Sequence, residues 1–193
     1  MTGRTPQRRI RGTLVGVAGL MILPIVAPGP AGAQVDPAGR DGMIRSAVSA
    51  APDEVSRSAT VRDWQGNVLR EGTNGWTCLP DMADQPGDSP MCLDPVWMAW
   101  VDAWQNKKPF QADRVGFGYM LQGDFPTSNT DPYARESTPE NQWIENGGPH
   151  VMILVPDAIA LEGLPRTPHG QGPYVMWEGT PYVHIMLPVP RKP

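Results

Sequence analysis

The chain is poor in the residues most often used for chemistry. It has two cysteines and three histidines in 193 residues. It contains no Gly-x-Ser-x-Gly elbow, no His-Glu-x-x-His helix, no Gly-x-Gly-x-x-Gly loop and no phosphate-binding loop, which removes the common signatures of hydrolases, zinc peptidases and nucleotide-binding enzymes. Basic charge is also scarce once the N-terminus is set aside. Of the 16 Lys and Arg, four lie in the first 11 residues, and all 20 acidic residues come later. The part after residue 33 therefore carries twelve basic and twenty acidic residues, a net charge of −8. Nucleic acid and anionic membrane need clustered cations to displace counterions, so neither is an expected partner. After Val26 no apolar run approaches the roughly 20 residues needed to span a bilayer, so no membrane insertion is expected beyond the N-terminal segment.

That segment has the layout of a secretory signal. Arg4, Arg8, Arg9 and Arg11 precede an uncharged apolar stretch over 14–26, then Pro28, Pro30 and the small triplet Ala31-Gly32-Ala33. The expected organisation is a cleavable signal over 1–33, cut before Gln34, and one globular domain over 34–193. The destination is the periplasm or the extracellular space. Arg8-Arg9 also admits a twin-arginine route, although Gln7 and Ile10-Arg11 flank it poorly. In an oxidising compartment Cys78 and Cys92 are expected to pair. They close a 15-residue loop whose bridging is worth about 3 kcal/mol in the chain-entropy picture.

All seven Trp fall after residue 33, which speaks for an ordered core despite abundant Gly and Pro. Asp36-Pro37 and Asp94-Pro95 are cap-plus-proline helix starts. In the second helix Trp97, Trp100, Val101 and Trp104 share one face; such a stripe cradles an aromatic ligand or sugar, or simply packs on a sheet. Strands are predicted near 59–64, 68–71, 76–78, 114–121 and 150–155, followed by a hairpin of 174–177 with 182–187. In the strand over 114–121, Gly116 and Gly118 should let a helix approach closely. The fold class is therefore α+β, an antiparallel-dominated sheet of five or six strands packed by two main helices, with one disulfide.

Four stretches, NGWTCLPD (74–81), VGFGYM (115–120), SNTDPY (128–133) and GPYVMWEGTPYVHIM (172–186), are similar as a set to a group of uncharacterised exported bacterial proteins. The resemblance covers most of the chain after residue 33. It implies bacterial export and brings no activity, so no catalytic residue follows from it.

Candidate sites come from the residues alone. The long loop over 122–149 is a candidate site rim, with Asn129, Asp131 and Tyr133 as binding residues; the competing reading is a loop held by its own Asn and Asp side chains. A hydrolase would combine His150 or His184 with Asp131 or Asp124 and Ser128. Asp81, Asp84, Asp88 and Asp94 are acidic but lack the rhythm of a calcium loop. The sharpest pattern is a repeated His-x-Met, His150-Val-Met152 and His184-Ile-Met186. Residues two apart share a strand face, so neighbouring strands in register would bring two imidazoles and two thioethers together, with Met176 as a fifth donor. That set suits Cu(I), and its rival is ordinary core packing by methionine. The reading with most support is a non-catalytic binding module for a small apolar ligand or another envelope protein. A copper-binding protein and a His/carboxylate hydrolase are the alternatives, and copper is the one cofactor considered.

Overall fold

A computed structural model describes residues 1–3, 37–82, 85–168 and 172–190. The signal segment, its cleavage point, Asp84 and His169 lie outside the described residues, apart from residues 1–3 of the signal. The description below concerns the unit Val35–Pro193.

The second cap-plus-proline start works as the sequence implies. Asp94 is the N-cap of α3 (Pro95–Gln105), its Oδ1 accepting from the Trp97 N–H at 2.9 Å. Its Oδ2 accepts from the Phe117 N–H at 2.6 Å, so one carboxylate ties the helix start to β5 (Gly116–Met120). Helix α1 (Pro37–Val48) and the single-turn α2 (Asp53–Ser56) precede the sheet.

The strands are β1 (Thr60–Arg62), β2 (Val68–Arg70), β3 (Thr77–Leu79), β4 (Met91–Leu93), β5, β8 (His150–Leu154), β9 (Tyr174–Met176) and β10 (His184–Pro188), in the order β2-β1-β3-β4-β5-β8-β10-β9. The two-residue β6 (Thr127–Ser128) and β7 (Trp143–Ile144) pair separately. The expectation of an antiparallel-dominated sheet of five or six strands packed by two main helices is corrected in part: the sheet has eight strands, it is mixed because β1 and β3 are parallel, and a third, single-turn helix accompanies the two longer ones. After the β1–β2 hairpin the chain passes the start of β1 and comes down on its other side. The crossing is tight. A Cβ on Gly72 would meet the backbone of Ala59 and Thr60, and the Ser58 carbonyl oxygen at 2.6 Å. Strand β4 was hidden in the sequence by its length, three residues between Pro90 and the Asp94 cap. Its register is set by Cys78 lying directly opposite Cys92, and the two form the disulfide.

The two faces of the sheet carry different cores. Val61, Cys78, Cys92 and Tyr119 face α1, together with Ala47 and Ala50. Further along the same face, Ile153, Val175 and Ile185 are covered by Leu161 of a short 3₁₀ turn (Ala158–Leu161). The other face receives α3. A Cβ on Gly116 would fall 2.8 Å from Val96 Cβ, so this glycine lets the helix lie directly on β5, while one on Gly118 would fall 2.8 Å from Leu93 Cδ2 and 2.9 Å from Met152 Cε of the flanking strands. An 11-residue helix is only about 16 Å long. It cannot also roof β8, β10 and β9, and the space above them is where the candidate site forms.

Candidate functional site

Cross-strand register fixes what that space rests on. Met152 lies opposite Met186 and Gly118, Met120 lies opposite His150, and His184 lies opposite Met176. With side chains alternating in direction, one face of four adjacent strands gathers Met120, His150, Met152, Met176, His184 and Met186. The repeated His-x-Met pairs thus lie on neighbouring strands and on the same face. Because β8 and β10 are antiparallel, the methionines are at the centre and the histidines at opposite ends.

Above this floor the roof is aromatic. Trp100 is parallel to Trp177 (4° between planes, 5.6 Å between centroids) and nearly parallel to Trp104 (14°, 6.1 Å). Trp104 is in turn parallel to Tyr133 (1°, 6.3 Å). Trp177 reaches this array through an unusual backbone: its φ is +57°, a conformation that a bulky residue adopts only under constraint. The constraint is visible. Its N–H donates to the Asn129 carbonyl at 2.8 Å, its Nε1 donates to the Ser128 carbonyl at 2.7 Å, and its carbonyl accepts from Thr180 Oγ1 at 2.8 Å. Three indoles, Trp97, Trp100 and Trp177, stand edge-on to the His184 ring at 5.2–5.6 Å.

Between floor and roof lies a cleft of about 460 Å³. Its deep end is formed by Met152, Met176, His184 and Met186, and its outer part by Trp104, Tyr133, Lys107 and Arg135, with Asp124 on one wall. A more open depression of about 690 Å³ adjoins it near Met43 and Gln65. In the helix stripe Trp97, Trp100 and Val101 are buried in the core, and with Trp104 they also line the cleft.

The electrostatics are those of a dry site. Burial pushes both His150 and His184 from 6.5 down to about 4, and the nearby His150 adds to the effect on His184. Each ring holds one hydrogen bond, His150 Nδ1 to the Gly148 carbonyl at 2.7 Å and His184 Nδ1 to the Tyr182 carbonyl at 2.9 Å. Both rings are neutral near pH 7, so Nδ1 is the donor and Nε2 carries the free lone pair. His150 Nε2 is buried with no hydrogen-bond partner, as is Trp97 Nε1. Burial also raises Asp124 from 3.8 to about 7, and the charge of Asp124 adds to burial in raising Tyr174 to about 12.

Of the loop residues proposed as a rim, Tyr133 lines the cleft, its hydroxyl donating to the Trp104 carbonyl at 2.9 Å. Asp131 is exposed and accepts from the Tyr133 N–H at 2.8 Å. Asn129 is buried and acts as an internal anchor, its Nδ2 donating to Gln142 Oε1 and the Arg166 carbonyl. His184 and Asp124 of the hydrolase set line the same cleft, but no hydrogen bond joins the set. Neither histidine hydrogen-bonds a carboxylate, Ser128 Oγ accepts from the Thr130 and Asp131 N–H groups, and Asp124 Oδ1 accepts from the Phe125 N–H. Among the described residues no group of three or more His, Cys, Asp or Glu is placed to hold a metal ion. Asp81 is occupied by Ser89, and Asp94 by its cap. Sequence reasoning missed Trp177, Met120 and Lys107 as cleft residues. Trp177 carried no signal of its positive φ, whereas the alternation of Gly116, Gly118 and Met120 already placed Met120 on the glycine face.

Fold and site together define a disulfide-bearing α+β domain with an aromatic and thioether-lined cleft between its sheet and helix α3. No protein-family model matches the chain, and no curated protein and no solved structure matches it.

Proposed function

We propose that this is an exported, non-catalytic binding module that takes a small, planar, largely apolar molecule into the cleft. The observation that carries the reading is the parallel set of Trp100, Trp104, Trp177 and Tyr133 rings, open to solvent at the Trp104 and Tyr133 end. Pockets of this size are the usual form of small-molecule sites, and this one sets Lys107, Asp124, Arg135 and His184 among its apolar walls. Aromatic stacking adds about 0.5–1.5 kcal/mol per ring pair beyond area burial. The strained Trp177 backbone supports the same reading, since strain is retained where the surroundings over-determine a functional geometry.

The test is quenching of tryptophan emission by 2-naphthol, a planar probe of matching shape. A saturable single-site curve is expected, weakened about tenfold in Trp104→Ala, the equivalent of about 1.4 kcal/mol. A linear, unsaturable response, or an unchanged curve in the variant, would sink the reading.

Export is supported by the basic-apolar-small layout of residues 4–33 and by the disulfide. No helix among the described residues is long and apolar enough to cross a membrane. The intact mass of protein recovered from a bacterial envelope or culture medium should correspond to a chain beginning at Gln34. A mass that retains the first 33 residues would refute cleavage.

A further inference from the structure

We infer that the sheet floor beneath the aromatic roof is a Cu(I) site, with the thioethers of Met152 and Met186 as central ligands and Nε2 of His150 and His184 completing the set. The site shares the cleft of the proposed function but does not depend on its organic ligand.

Three independent features support it. The first is register. Met152 and Met186 are directly opposed, so their sulfurs start from strands about 5 Å apart.

The second is the orientation of the rings. Each histidine is tied through Nδ1 to the carbonyl two residues before it, on the N-terminal side of its own strand. The strands run in opposite directions, so each ring is tied away from the methionine pair and its Nε2 is left untied. The two Cα atoms are four strand positions apart, roughly 13 Å along the sheet, so both rings close over the methionines when they share one ion.

The third is the unpartnered nitrogen. His150 is 2 % exposed, and its Nε2 has no hydrogen-bond partner. Leaving a buried acceptor unmade is costly, and a bound cation would relieve it.

The donor chemistry selects the metal. Thioether and neutral imidazole are soft to intermediate ligands that suit Cu(I), while calcium and magnesium require oxygen. The Nδ1–H to carbonyl contacts are the outer-shell bonds that fix tautomer and orientation in metal-binding histidines. Met120 and Met176 flank the set, each directly opposite one of the histidines.

The experiment is anaerobic titration of the disulfide-intact protein with Cu(I) held by a chromophoric chelator. One equivalent should be withdrawn per chain. The double variant Met152→Leu, Met186→Leu keeps volume and removes sulfur, and should lose at least a hundredfold in affinity with near-UV dichroism unchanged. X-ray absorption of the copper-loaded wild type provides a second readout if that variant fails to fold, and sulfur together with imidazole should surround the metal. No uptake by wild type, undiminished uptake by a folded double variant, or a shell of only nitrogen and oxygen would each overturn the site. Titration with 2-naphthol in parallel separates the two readings, because copper uptake without naphthol binding leaves this site standing and removes the organic ligand.

Discussion

Replacing Asp124 should turn a shallow loss of stability between pH 7 and 4 into a steep one. His150 and His184 take up protons at about 6.5 in the unfolded chain and at about 4 in the fold. Their folded values are depressed, so the stability they permit is complete above pH 6.5 and is lost as the pH falls toward 4. The shift corresponds to at most about 3 kcal/mol per histidine, a large share of the roughly 5–15 kcal/mol that holds a domain together. Asp124 acts in the opposite sense. Its folded value is raised to about 7, so the fold gains relative to the unfolded chain as the pH drops from 7 toward 3.8. In Asp124→Asn that compensation is gone. The variant should exceed wild type in stability above pH 7, the advantage should shrink to nothing near pH 4, and its acid limb should be the steeper. Urea unfolding at pH 7.5, 5.5 and 4 measures all of this, and parallel stability curves for the two proteins would contradict the burial of both kinds of group.

The second large effect is expected from the disulfide. Cys78 and Cys92 are fully buried between β3 and β4 under α1, so Cys78→Ala with Cys92→Ala removes the bridge without burying a new polar group. The 15-residue loop predicts a loss of about 3 kcal/mol, and for a domain of this size each kcal/mol is worth about 2–4 °C. The melting temperature should fall by about 10 °C. Strand β4 runs straight into the Asp94 cap of α3, so loosening β4 also loosens the roof of the cleft, and the variant should bind 2-naphthol less well. A variant that melts with wild type would mean that the sheet alone holds this junction.

How far the sequence reached can be judged from particular residues. The run His150 to Val155, apolar on both faces, read as a central strand, and the period of two, a local property, put the two His-x-Met pairs on strand faces. It did not give the register that sets Met152 opposite Met186, since pairing depends on turns and on the opposite core. Strand β4 was too short to show a period, and the parallel β1–β3 pairing depends on a crossover that Gly72 allows. Asn129 and Tyr133 lie in one loop with similar composition, yet one is an internal anchor and the other a cleft wall. Composition marks such a loop as ordered without separating the two roles. The cleft itself was not legible, because it exists where α3 stops covering the sheet and where Trp177 is held at positive φ by a segment about fifty residues earlier.

The most direct test of the cleft as a binding site is a crystal structure of the protein with 2-naphthol. The account predicts ligand density inside the cleft, with its ring plane parallel to Trp104 and Trp177 and its edge toward Met176 and His184. Density only in the adjoining depression near Met43 and Gln65, or none with the crystal soaked to saturation, would contradict it.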